Sequence, residues 1–260
     1  MMIQTLVYGP TMQATGAFDG GKITEQKPIG FPGEGSVVKR VSTLFYWAWA
    51  HSKNEGYIPL HPHQAFEIMT YVVAGKAEHG DTLGTKSSIG AGGVQLMQTG
   101  SGVSHEERFV GPDMEGFQIW FEPSVQEAVK TKPTYNQYEH EEFPIAKGEG
   151  FTKKTVMGYG SPISIVADAQ MWDVELEAGA TFNQAIEAGR TLTALAIRGD
   201  GSWTYASQAG KDTTFNHKDF IVARADQAEE AIITATGDTP LRLILIDVPS
   251  TVDYPLYPKR

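Results

Sequence analysis

The sequence predicts an all-β chain folded as two jelly-roll-like barrels in tandem. Runs rich in β-branched and aromatic residues recur along its 260 residues, cut by turn residues that include 28 glycines and 14 prolines. A helix is expected only at 125–130. A faint internal repeat lets residues 179–205 be laid on 56–81 with Gln184 over Gln64, which sets Thr181 and Asn183 over His61 and His63. The chain therefore divides into an N-terminal barrel with its linker, residues 1–144, and a degenerate C-terminal barrel, residues 145–260.

Residues 3–8 alternate apolar and polar side chains, as a half-buried strand does. Gly16, Gly20 and Gly21 make tight turns around 17–23, and 31–35 is a further turn cluster. Residues 36–50, SVVKRVSTLFYWAWA, read as one or two strands at the core of a sheet. Their rings, Phe45, Tyr46, Trp47 and Trp49, could line a flat pocket, although core packing is the simpler account of them. Residues 61–74 form a strand pair hinged near Gly75. Turns follow at 81–86, 90–93 and 100–102, the last placing His105 just past a bend. Residues 116–121 close the first barrel, and the polar, proline-bounded stretch 123–144 leads to the second. That half reads as strands at 163–167, 171–176, 191–198, 202–205, 219–223, 231–235 and 241–247. The end, VPSTVDYPLYPKR, is irregular.

Composition narrows the classes of function. A hydrophobic content of 41% suits a packed core, and a net charge of −10 argues against binding a phosphate backbone while leaving a basic protein partner open. With no cysteine there is no disulfide or thiol chemistry, which fits a reducing cytoplasm. The start, MMIQTLVYGPTMQATG, lacks the basic and apolar regions of a secretory leader. No apolar run approaches the roughly 20 residues that span a bilayer.

The chemistry sits between Gly56 and Glu107. His61 and His63 are two residues apart, and so are His105 and Glu107. Strand side chains alternate faces, so each pair lies on one face, and two such strands bring three imidazoles and one carboxylate together. That donor set suits Fe, Mn, Co, Ni, Cu or Zn and leaves positions open for water or substrate. The same parity count puts Glu67 and His79 inward. His79 is expected to be a rim or a hydrogen-bonded histidine, because a fifth protein ligand would leave little open coordination.

The stretches HPHQAFEIMTYVVAGKAEHGDTLG and GGVQLMQTGSGVSHEE, continued by FQIWFEPS, resemble the pirin family of the cupin superfamily. Gln64, Ala65 and Leu96 depart from its pattern, where Arg, Gly and Trp are usual. The resemblance implies two tandem cupin barrels (double-stranded β-helices) and one divalent metal held by His61, His63, His105 and Glu107. Iron comes first, with Zn, Ni, Cu, Mn and Co as alternatives. Glu67 becomes a second carboxylate beside the metal, a partner of the ligands or a base, and the alternative to Glu107 as fourth ligand. The resemblance also implies a quercetin 2,3-dioxygenase-type oxygenase acting on a flavonol-like aromatic with O₂, Glu107 or Glu67 taking the hydroxyl proton. The alternative is a regulatory, protein-binding pirin without turnover.

Overall fold

The computed structural model describes residues 3–208 and 210–259. Regular structure among them is almost wholly β, with one short α-helix at Val125–Ala128 inside the expected helical stretch. The chain forms two compact units. One comprises residues 12–142, 164–167 and 253–259; the other comprises 3–11, 143–163 and 168–252. The break at 142/143 lies close to the expected 144/145, but three segments change sides. The strand Gln4–Tyr8, for example, pairs with Phe220–Ala225 of the C-terminal half.

The first unit is a nine-stranded sheet curled on itself. Two long strands shape it. Residues 114–121 of Val103–Phe121 pair with Leu44–Ser52 and with the first half of Glu67–Asp81. Residues 103–110 of the same strand pair with Glu55–His63 and with the second half of Glu67–Asp81. The bend between the halves coincides with register shifts between Val72 and Lys76. Gly75 sits there at φ +74°, where a Cβ would come within 2.8 Å of the Met114 Cα and the Val110 carbonyl oxygen. Only glycine fits that geometry without moving backbone.

The inner face buries Phe45, Tyr46, Ala48, Ile68 and Trp120 in one cluster, and Ile23, Ala50, Val72, Ala77, Phe109 and Met114 in another. A register shift between Leu44 and Tyr46 lets the consecutive rings of Phe45 and Tyr46 join the same cluster. Trp47 and Trp49 take the opposite face, where both pack near Phe117 and the Trp49 Nε1–H donates to Glu115 at 2.9 Å. The four-ring wall considered from sequence is therefore two of those rings, completed by Phe31, Phe66 and Trp120.

Two strand expectations need correction. Residues 36–43 are irregular, and the strand runs from Leu44 to Ser52. Residues 163–167 form no strand, despite an apolar, β-branched composition. The backbone N–H groups of Val166 and Ala167 donate to the two oxygens of Glu67, at 2.7 and 2.9 Å, and so are not spent on a ladder.

The second unit holds a seven-stranded and a four-stranded sheet around Phe182, Trp203, Tyr205, Phe215, Leu243 and Leu245. Thr181 and Asn183 are exposed, and Phe182 and Gln184 are buried. Among the described residues no helix is long and apolar enough to cross a membrane.

Two glycine-related positions test this architecture. Ala65 is buried at φ +73°, which costs a non-glycine residue about 1–2 kcal/mol. Ala65→Gly is expected to stabilise the protein by about 0.5–1 kcal/mol after the entropy of a more flexible unfolded chain is subtracted. Gly75→Ala is expected to cost more than about 2 kcal/mol, since it adds a backbone clash to the same strain. Urea unfolding of both variants measures these changes.

Candidate metal centre

The antiparallel pairing of Glu55–His63 with Val103–Phe121 sets His61 directly opposite His105. His63, two residues on, shares the face of His61, while Pro62 between them is exposed. The three imidazoles meet with ring centroids 4.5 to 4.8 Å apart. One nitrogen from each lies within 4.8 Å of the others. The His61 Nδ1 lies 2.7 Å from the Pro59 carbonyl. A carbonyl only accepts, so Nδ1 carries a proton and Nε2 is the nitrogen left to ligate. The His63 ring stands edge-on to the Trp120 indole at 4.7 Å.

These nitrogens fit a cation. His63 Nε2 and both nitrogens of His105 are buried without a hydrogen-bond partner. A buried polar atom left in that state costs about 1–3 kcal/mol. Burial, followed by the neighbouring imidazoles, pushes the pKa of His63 and of His105 down to about 3. Both rings are therefore neutral at physiological pH, the form that ligates a metal.

The carboxylates behave differently from one another. Glu107 lies on the inner face with His105 and is buried, but stands outside the three-histidine cluster. Its oxygens accept both contacts of the Gln118 Nε2 amide, at 2.7 and 2.8 Å, and Oε1 also accepts from the Thr70 hydroxyl at 3.2 Å. Glu67 does not share the face of the histidines. Its neighbours in strand phase, Ile68, Thr70 and Val72, are the ones that point inward. The turn at Ala65 shifts the alternation by one residue, so the parity count from His61 fails there. Glu67 instead accepts from Gln98 at 2.6 Å and from the N–H groups of Val166 and Ala167. Glu67 is therefore engaged on the side of the sheet away from the histidines.

His79 is inward, because the shift at Gly75 cancels the one at Ala65. Its Nε2 contacts Asp81 Oδ2 at 2.9 Å, and its ring stacks on Tyr135 at 4.3 Å. His79 is thus hydrogen-bonded and buried, with its ring 5.4 Å from that of His105. Among the residues at which the sequence departs from the pirin pattern, Gln64 donates to the Ser101 carbonyl at 3.1 Å and Leu96 is fully buried.

Three residues of the site were not singled out from sequence: Thr70, Gln118 and Trp120. The signal for Gln118 was available, since it is the one uncharged polar side chain in the apolar run MEGFQIWF. Beside the histidines lies the aromatic wall, with Phe31 stacked on Tyr46 at 4.3 Å and Trp120 edge-on to Phe31 at 5.0 Å. The C-terminal segment packs on the same wall. Tyr257 is edge-on to Phe45 and Phe66, and the Lys259 ammonium lies 4.2 Å from the Phe45 ring centre.

A curled β unit carrying an HxH pair opposite a third histidine, in tandem with a second β unit, defines a two-domain cupin with a candidate metal site. The Pirin family model matches residues 44–121. A pirin-like protein from Caulobacter vibrioides is 31% identical over 204 residues, which cover 75% of this chain and 78% of that one. The chain belongs to the pirin family. Pirin-like protein 2 of Arabidopsis thaliana is 32% identical over 154 residues, 57% of this chain, and the chain spans only 48% of that relative. A Pseudomonas aeruginosa relative, assigned provisionally as a quercetin 2,3-dioxygenase, is 35% identical over 136 residues, 51% of this chain and 56% of that one.

Solved structures share the fold. The bacterial pirin YhhW of Escherichia coli, in complex with nickel(II), superposes with a TM-score of 0.75 at 22% identity, covering 95% of this chain and 99% of that one. Quercetin 2,3-dioxygenase from Acinetobacter baumannii gives 0.78 at 18% identity, covering 100% and 91%.

His105→Leu separates the stability of the centre from its purpose. In chelator-stripped protein the variant is expected to be at least as stable as the parent, because two unpartnered nitrogens are removed at similar volume. Added Ni(II) at about 100 times its Kd should raise the stability of the parent by roughly 2.7 kcal/mol and leave the variant unchanged. Thermal unfolding with and without the metal reads both effects.

Proposed function

We propose that this chain is a metal-dependent oxygenase of the quercetin 2,3-dioxygenase type, acting on a flavonol-like aromatic with O₂. The observation that carries this is the cluster of three imidazoles, with His63 Nε2 and both His105 nitrogens buried and unpartnered, set beside an aromatic wall. The Pseudomonas and Acinetobacter proteins support the choice of reaction class. His61, His63 and His105 would hold one divalent metal, iron first, with Zn, Ni, Cu, Mn and Co as alternatives. Bound there, it would supply Lewis acidity toward a substrate oxygen.

The chain's own residues account for the rest. Trp120, edge-on to His63, would border a bound planar ring and keep water from it. Glu107 would take the hydroxyl proton of the substrate on a carboxylate oxygen, with Gln118 and Thr70 holding the group in place. Glu67 has no part in this scheme, since its oxygens are engaged elsewhere. A small aromatic substrate and O₂ are then the partners, with no direct role for nucleic acid, and the cysteine-free chain suits a reducing cytoplasm.

The test is aerobic consumption of quercetin followed by its absorbance. Metal-loaded protein should turn it over, His61→Ala or chelation should abolish turnover, and Glu107→Gln should lower kcat by about 10²–10⁴-fold. No consumption by protein with a full equivalent of iron, nickel or manganese would overturn the enzymatic reading in favour of the protein-binding alternative.

A further inference from the structure

A half-buried amine lies on the inner face of the second unit, apart from the site described above. The strand Phe151–Met157 pairs with Ile145–Gly148 and with Gln170–Leu176. Its Phe151 and Lys153 stand opposite Leu176 and Val174, which belong to the core cluster, so both point inward. Facing them is Thr181–Ile186, the edge strand of the four-stranded sheet, which buries Phe182, Gln184 and Ile186. Among the described residues no ladder joins these two strands, and they meet through side chains. The Phe151 and Phe182 rings lie 5.0 Å apart, and the Lys153 ammonium donates to Gln184 Oε1 at 3.1 Å. The same Nζ lies 4.7 Å from the centre of the Trp172 ring and 5.5 Å from that of Phe182.

Two effects compete for the proton of this amine. The ring faces attract the charged form, and burial disfavours it. The contacts of Lys153 are one neutral amide and two rings, with no carboxylate among them to hold the proton. Burial holds its pKa below the ordinary lysine value. A lysine withdrawn from water in this way is a nucleophile toward carbonyl carbon. A cavity of about 710 Å³ opens beside Phe151 and Phe182, and Glu149 and Glu177 also line it. Those two carboxylates disfavour an anionic ligand there and leave a neutral one acceptable.

We propose that Lys153, at the seam between the two sheets of the second unit, is an imine-forming site for an aromatic aldehyde. The Nζ lone pair adds to the carbonyl carbon and forms the C–N bond. Both amine hydrogens then leave with the carbonyl oxygen as water, and a C=N bond remains. No oxidant or reductant is consumed. Gln184 Oε1 accepts from the amine and so fixes its direction, while the ring of the aldehyde packs against half-buried Phe151.

The experiment is reductive trapping on the whole protein. Benzaldehyde and cyanoborohydride at pH 7 convert each imine to a stable benzylamine, and peptide mass spectrometry locates the labelled lysines. Lys153 is expected to label on the order of tenfold faster than Lys86 and Lys132, which are exposed, because each unit of lowered pKa gives about ten times more neutral amine. That advantage should shrink as the pH is raised to about 10, where ordinary lysines also lose their protons. It should be smaller with propanal, which has no ring to pack. A Lys153 rate no greater than that of the exposed lysines at pH 7 would overturn the proposal. So would an advantage that persists unchanged at the higher pH, which would mark accessibility alone, or one that propanal reproduces in full. The comparison is internal to one folded protein, so no variant has to fold for the result to count.

Discussion

The first unit is organised around an unfavourable arrangement. Three imidazoles are forced against one another, burial and the neighbouring rings keep His63 and His105 neutral, and three nitrogens of the cluster have no hydrogen-bond partner. Nothing in such a cluster attracts its own members, so the surrounding backbone must hold it. The ladder between Glu55–His63 and Val103–Phe121 provides that hold, with the Pro59 carbonyl and the Trp120 ring aligning individual rings. Buried polar groups are partnered in nearly all native proteins, and the exceptions cluster where a ligand is meant to complete them.

The curled sheet separates two tasks. Its inner face gathers the histidines, Glu107 and the aromatic wall, and mixes polar with apolar groups. Its other face, with Trp47, Trp49, Tyr71 and Phe117, is devoted to packing. Gly75 and the shifts beside it permit both, because they let one strand serve two stretches of ladder in different phase. The long strands thus act as rigid supports for the site, and the irregular positions decide which side chains those supports present.

What was legible in the sequence follows the same division. The i, i+2 spacing of His61 with His63 survives folding because it is a property of one uninterrupted strand. Counting onward from His61 to Glu67 fails, since Ala65 adopts a left-handed conformation that an alanine does not advertise. Counting to His79 succeeds only because two offsets cancel. Residues 163–167 have the composition of a strand, and their fate depends on a carboxylate about a hundred residues away. The pairing of Gln118 with Glu107 was invisible for a related reason: the two lie on one strand, eleven residues apart, and meet only because that strand bends.

The interleaving of segments has a consequence for how the protein can be made. Glu67 receives its N–H donors from residues 166 and 167, and Glu122 contacts Arg40 while the Glu122 carbonyl accepts the hydroxyl of Tyr254. The histidine-bearing unit is therefore complete only after Tyr254 has left the ribosome. A fragment ending at residue 144 would carry every candidate ligand, yet would hold a buried carboxylate stripped of its backbone donors. The two halves of the gene are not two separable products, and unfolding of one unit draws on chain that belongs, by position in the sequence, to the other.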